Sequence, residues 1–214
     1  MKVIFVGGKK YGVNVLRYLL TDWDVIAVDG DEEVRAEGKR LHIPYLEDIE
    51  LGDVDLLISY LSRKKIGEPL LSHPRLGCIN FHPGWLPEFG GACGYNIAIL
   101  ENVKQYGCTA HFMTAQIDRG DIIDKRAVYL DRNETAYSLA IKTYEEMFTL
   151  FQKVLRSIEC GTVKRTPQFN TRYMKWEDVE KLRYILPGDS PETIDRKKRA
   201  FHFPPYKGAE VAHV

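Results

Sequence analysis

Asn80 and His82 stand two residues apart in the stretch Gly77-Cys78-Ile79-Asn80-Phe81-His82, whose apolar content and terminal Pro83 predict a strand ending at the histidine. Along a strand the side chains alternate, so Asn80 and His82 leave the same face while Phe81 turns to the other. Both therefore reach one site. A carboxamide N–H and an imidazole aimed at a single oxygen are the donor set that stabilises a tetrahedral acyl-transfer intermediate. A nearby carboxylate would fix the imidazole tautomer, favour its charged form and take up a proton itself. Asp118 is the candidate, in the break Thr114-Ala115-Gln116-Ile117-Asp118-Arg119-Gly120-Asp121, which is too polar and glycine-bearing to stay in a sheet. His111 shares a strand face with Thr109 and Met113; it either faces the site or is a satisfied core histidine.

Bringing these groups together is the task of the surrounding elements. Hydrophobic patterning predicts strands over 2–6, 24–29, 54–60, 77–82, 106–113 and 122–130. Helices are expected over 13–20, 31–40, 66–71 and 95–100. Asn133 is placed to cap the longest helix, with Glu134 in its first turn, Ala140, Tyr144, Met147, Phe151, Val154 and Ile158 on its packed face, and Gly161 at its end. Alternating strand and helix with short turns imply an α/β fold, a doubly wound, mostly parallel Rossmann-like sheet. In such sheets ligands bind beyond the carboxyl ends of the strands, which is where Asn80 and His82 fall. Residues 1–161 are expected to form the catalytic domain, and 162–214 a C-terminal extension contributing to substrate binding or dimerisation.

The chain has 214 residues, 44% hydrophobic and 28% charged, with 30 Lys and Arg against 30 Asp and Glu. That balance argues against a nucleic-acid coat, which needs uncompensated positive charge. No apolar run approaches the ~18 residues of a membrane span, and the start, Met1-Lys2-Val3-Ile4-Phe5-Val6, is too short for a secretory leader. Cys78, Cys93, Cys108 and Cys160 form no C-x-x-C pair, so reduced thiols in the cytoplasm are expected and a metal is not. Gly7-Gly8-Lys9-Lys10-Tyr11-Gly12 is not G-x-G-x-x-G. It reads as a tight turn, with Gly8 and Lys9 open to a substrate phosphate at the following helix start.

The motifs in order resemble those of N10-formyltetrahydrofolate-dependent formyltransferases: Asn80-Phe81-His82-Pro83-Gly84-Trp85-Leu86-Pro87, then Gly90-Gly91, Gly107-Cys108-Thr109-Ala110-His111-Phe112-Met113, and Ile117-Asp118-Arg119-Gly120-Asp121. The resemblance implies that Asn80, His82 and Asp118 are catalytic and that a substrate amine attacks the formyl group held among them. It further implies N10-formyltetrahydrofolate as co-substrate, without a metal. Folate contacts are then expected from Tyr60, Leu61, Ser62, Leu86, Pro87, Thr114 and Gln116. Two departures stand out: Gly84-Trp85 replace the family's Ser-Leu, and Phe89 stands where an Arg often precedes the glycine. Trp85 is expected to cover the folate, stack on a base or pack its own loop.

The close Arg199-Ala200-Phe201-His202-Phe203-Pro204-Pro205-Tyr206 resembles tails of nucleotide-sugar N-formyltransferases, which points to Tyr206 as a substrate contact. The expected function is transfer of the formyl group to the primary amine of a nucleotide-linked amino sugar by a cytoplasmic homodimer without nucleic-acid or membrane partners. A methionyl-tRNA formyltransferase would require an RNA-binding domain that the residues after Gly161 do not readily supply. A glycinamide ribonucleotide formyltransferase, a formyltetrahydrofolate hydrolase and a nucleotide-binding module remain alternatives.

Overall fold

The structure, a computed structural model, describes residues 1–169 and 171–212. In chain order the elements are β1 (Lys2–Gly7), α1 (Lys9–Leu19), β2 (Asp24–Gly30), α2 (Glu32–Arg40), β3 (Leu56–Tyr60), β4 (Cys78–His82), β5 (Gly90–Gly91), α3 (Gly94–Leu100), β6 (Gln105–Phe112), β7 (Ile122–Tyr129), α4 (Ala136–Glu159), β8 (Tyr173–Met174), α5 (Trp176–Glu180), β9 (Tyr184–Ile185), α6 (Pro191–Ala200) and β10 (Glu210–Val211). Six strands form one sheet in the order β2-β1-β3-β4-β6-β7. The pairs β1/β2, β1/β3 and β3/β4 are parallel, and their order reverses between β1 and β3. β6 runs the other way: the Met113 N–H, just past its end, donates to the carbonyl of Cys78 at the start of β4 (2.8 Å). The α/β, mostly parallel fold expected from the sequence is the one observed.

The chain divides into two compact units. The first comprises residues 1–82, 110–124 and 154–167. Its core joins Ile4, Val6, Ala27, Val54, Leu57 and Cys78, apolar residues of the parallel strands and of the approach to β3, each Ile, Val or Leu side chain worth about 1.5–3 kcal/mol when removed from water. The second comprises 83–109, 125–153 and 168–214, around Phe89, Ile97, Tyr106, Leu139, Met174 and Phe201. The expected extension is thus shared: 162–167 pack with the first unit and the described residues from 168 onward with the second, while residues 170, 213 and 214 lie outside the described residues. In the second unit Asn96 Nδ2 donates to the Ala200 carbonyl at 2.7 Å, tying α3 to the end of α6. Among the described residues no helix is long and apolar enough to cross a membrane.

Three local expectations need correction. α1 begins at Lys9 rather than 13, because a distant carboxylate, Asp31, accepts the Lys9 N–H and satisfies a first-turn amide that the local pattern leaves open. Residues 66–71 form no helix: 66 and 67 are irregular and 68–71 are turns; Pro69 brings no N–H to a ladder and Gly67 favours coil. The cap of α4 is Thr135, not Asn133: Thr135 Oγ1 accepts the Ser138 N–H at 3.1 Å and Ser138 Oγ accepts the Thr135 N–H at 3.0 Å, a reciprocal capping box. The end of α4 is as expected, with Gly161 at φ +64 and the Thr162 N–H reaching back to Ser157.

Candidate active site

β4 is flanked in the sheet by β3 and β6, so a side chain leaving its face meets residues from both neighbours. In the first unit, Ser59 and Tyr60 stand opposite Asn80 and Phe81, and the Tyr60 ring packs 5.8 Å from that of Phe81. The other face of alternation carries Cys78, Asn80 and His82. Burial pushes the Cys78 thiol up to about 12, with Glu68 adding to the shift, so at neutral pH it is a thiol and no nucleophile. Asn80 and His82 are the residues beyond it on this face.

Asp118 reaches them from the turn between β6 and β7. That turn holds Asp118 at φ +57, a left-handed conformation that Asp tolerates better than most residues. It is closed by Gly120, where a Cβ would stand 1.9 Å from the Phe112 carbonyl oxygen. Only glycine lets the chain pass so close, which gives the Asp-x-Gly spacing its physical reason.

The result is a buried cluster from three segments. Asp118 Oδ1 lies 3.6 Å from His82 Nδ1 and 3.5 Å from His111 Nε2, and Asn80 Nδ2 lies 3.2 Å from the same His111 Nε2. His82, His111 and Asp118 are all buried, in a setting where a paired charge and its hydrogen bonds count for more than in water. The 3.6 Å separation is slightly longer than a hydrogen bond. His111, left open between two roles by the sequence, belongs to this cluster. Its alternation with Thr109 was a signal, but nothing local said what stood opposite.

Other expected contacts lie as follows. In the first unit, Tyr60 is buried, leaving its carbonyl to accept the Gly8 N–H at 2.9 Å. Leu61 follows at φ +54, its carbonyl so near Gly8 that a Cβ there would stand 2.3 Å away. Ser62 Oγ accepts the Lys64 N–H at 3.0 Å, and Thr114 Oγ1 donates to the Gln116 carbonyl at 2.8 Å. The Lys9 amide is given to Asp31, so an anion at this helix start would have to displace a carboxylate. In the second unit, Leu86 is buried with both backbone groups engaged: its N–H donates to Thr109 Oγ1 (3.1 Å) and its carbonyl accepts from Lys125 Nζ (2.9 Å). Lys125 also sits 4.0 Å from the centre of the Trp85 ring, and burial draws its pKa below the ordinary lysine value against an opposing pull from Glu88. Trp85 is therefore half-buried and packed on its own unit. The Pro87 carbonyl accepts the Arg172 N–H at 2.9 Å, and Tyr206 is exposed beside Phe203.

Residues 2–155 match the model of the formyl transferase family. The chain belongs to that family. Among curated relatives of the chain, the methionyl-tRNA formyltransferase of Staphylococcus aureus is 28% identical over 195 residues, covering 80% of this chain and 63% of that protein. The chain thus spans less than two thirds of the length of the curated relatives it matches. Among solved structures, a 4-N formyltransferase from Francisella tularensis superposes with a TM-score of 0.83 at 22% identity, covering 97% of this chain and 90% of that one. An N-formyltransferase from Helicobacter canadensis, solved with folinic acid and dTDP-3-aminofucose, gives a TM-score of 0.81 at 23% identity, covering 95% and 81%.

Proposed function

We propose that this formyl transferase moves the formyl group of N10-formyltetrahydrofolate onto the primary amine of a nucleotide-linked amino sugar. The observation that carries the chemistry is the convergence of half-buried Asn80 with buried His82 and Asp118 in one cluster joined through His111. The amine nitrogen attacks the formyl carbon, and the carbonyl oxygen gains negative charge. An Asn80 N–H and the His82 imidazole stabilise that oxygen, Asp118 accepts the proton released by the amine, and the bond to N10 breaks as N10 takes a proton.

The acceptor class is supported by likeness over nearly the whole fold, including the region after 168, to the Francisella 4-N formyltransferase and to a Helicobacter enzyme solved with a dTDP-linked amino sugar. The folate is assigned to the loops at Tyr60, Leu61 and Ser62, Leu86 and Pro87, and Thr114 and Gln116; Gly8, Lys9, Trp85 and Tyr206 are assigned to the acceptor. Four cysteines held as thiols fit a reducing cytoplasm, and exposed Tyr184, Leu186 and Val211 at the β9/β10 ladder offer an apolar face for a homodimer.

A panel of nucleotide-linked amino sugars incubated with the formyl donor and read by mass spectrometry tests the reading. One acceptor gaining a formyl group is the expected result. Formylation of glycinamide ribonucleotide or of charged initiator tRNA, with every sugar untouched, would overturn it.

A further inference from the structure

His111 is a buried titratable group, 2% exposed, to which the transfer chemistry above gives no step. Its Nδ1 lies 2.7 Å from the Phe112 carbonyl oxygen. A carbonyl only accepts, so Nδ1 carries the hydrogen and, in the neutral ring, Nε2 is a lone pair. That lone pair faces Asn80 Nδ2 at 3.2 Å and Asp118 Oδ1 at 3.5 Å. Of the two, the amide nitrogen always carries hydrogens to donate, whereas a carboxyl oxygen donates only when it carries a proton.

We infer that His111 is a positioning residue for Asn80: held as the Nδ1–H tautomer by the Phe112 carbonyl, it accepts one N–H of the carboxamide, fixes which way that amide points, and leaves the second N–H for the formyl oxygen. Turned the other way, Asn80 would set its own oxygen against the lone pair, two acceptors facing each other in a part-buried contact, which loses the hydrogen bond and puts repulsion in its place. An oxyanion donor works when it is already aimed before charge develops, and this contact does the aiming. The carbonyl that sets the tautomer is fixed in turn: it lies against Gly120, where no Cβ fits, and the Phe112 N–H donates to the Asp121 carbonyl at 2.9 Å. The same tight turn that delivers Asp118 therefore supports the ring that orients Asn80.

The inference rests on the proposed transfer for its last step, and two measurements separate them. The first reads the free protein: with histidine labelled in 13C and 15N, and the His111 signal assigned by its loss in His111→Gln, the Cδ2 and Nδ1 shifts report the tautomer. The Nδ1–H form at neutral pH is expected, and the Nε2–H form would overturn the inference whatever the acceptor proves to be. The second is kinetic. His111→Phe should lower kcat about 10- to 10²-fold with the folate KM unchanged, and His111→Gln, whose carbonyl can accept the amide N–H, should recover most of the loss. In an Asn80→Ala background His111→Phe should cost less than about 2-fold more, because the group it orients is gone. Additive losses would refute the route through Asn80. Failure of every amino sugar to be formylated would defeat the proposed function and leave the tautomer measurement to decide the role of His111.

Discussion

Asp118 Oδ1 stands 3.6 Å from Nδ1 of His82, with both groups buried. The pairing turns the other ring nitrogen of His82 away from the acid, so in the proposed transfer one imidazole would link the proton acceptor to the oxygen that gains charge. It also makes the two residues a unit whose losses should not add.

Asp118→Asn keeps the size of the side chain and removes its charge and proton affinity. The expected result is a fall in kcat of at least about 10²-fold with the folate KM little changed, measured by steady-state formylation of the acceptor. A variant within a few-fold of the parent would take Asp118 out of the proton transfer.

Asn80→Ala removes the proposed oxyanion donor, and turnover should fall roughly 10²- to 10³-fold. Binding of folate to the variant, followed by calorimetry, should remain close to that of the parent. Equal damage to binding and turnover would indicate a structural role for the amide.

Gly120→Ala tests the geometry that brings the acid in. A methyl there meets the Phe112 carbonyl at 1.9 Å, so the turn must move and carry Asp118 and the support of His111 with it. Stability is expected to drop by about 1–3 kcal/mol and kcat by more than the stability loss explains. A variant that folds and turns over normally would show that the close approach is dispensable.

Away from the site, Arg40 and Arg17 hold the Glu37 carboxyl at about 2, below its ordinary 4.5, through contacts of 2.7 Å each. A depressed value means the stabilisation is complete above the ordinary pKa and fades as pH falls toward 2. Glu37→Gln should therefore melt about 2–4 °C below the parent at pH 7, and the two melting curves should converge near pH 2–3. A gap independent of pH would contradict the charged pairing.

Much of this was legible in the residues because it depends on short-range rules. A two-residue period put Asn80 and His82 on one face, and the polar run around Asp118 could only be a turn. The strand pattern of β1, β2, β3 and β4 was equally plain, since buried parallel strands are short apolar runs. What escaped depended on partners far away in sequence. The early start of α1 needs Asp31, and the place of His111 needs Asn80 opposite it. Thr135 outcompetes Asn133 as cap because Ser138 stands three residues on to answer it, a reciprocal pair the single-residue signal at Asn133 did not weigh. The helix expected at 66–71 followed apolar spacing and gave too little weight to Gly67 and Pro69.

The most direct test follows donor and product together. With purified protein, N10-formyltetrahydrofolate and the amino sugar identified by screening, loss of the donor should match formamide formed on the sugar one for one, and should stop when the amine is omitted. Donor consumed at the same rate without any amine would mean that water is the acceptor, and the account of a transferase built on Asn80, His82 and Asp118 would be contradicted.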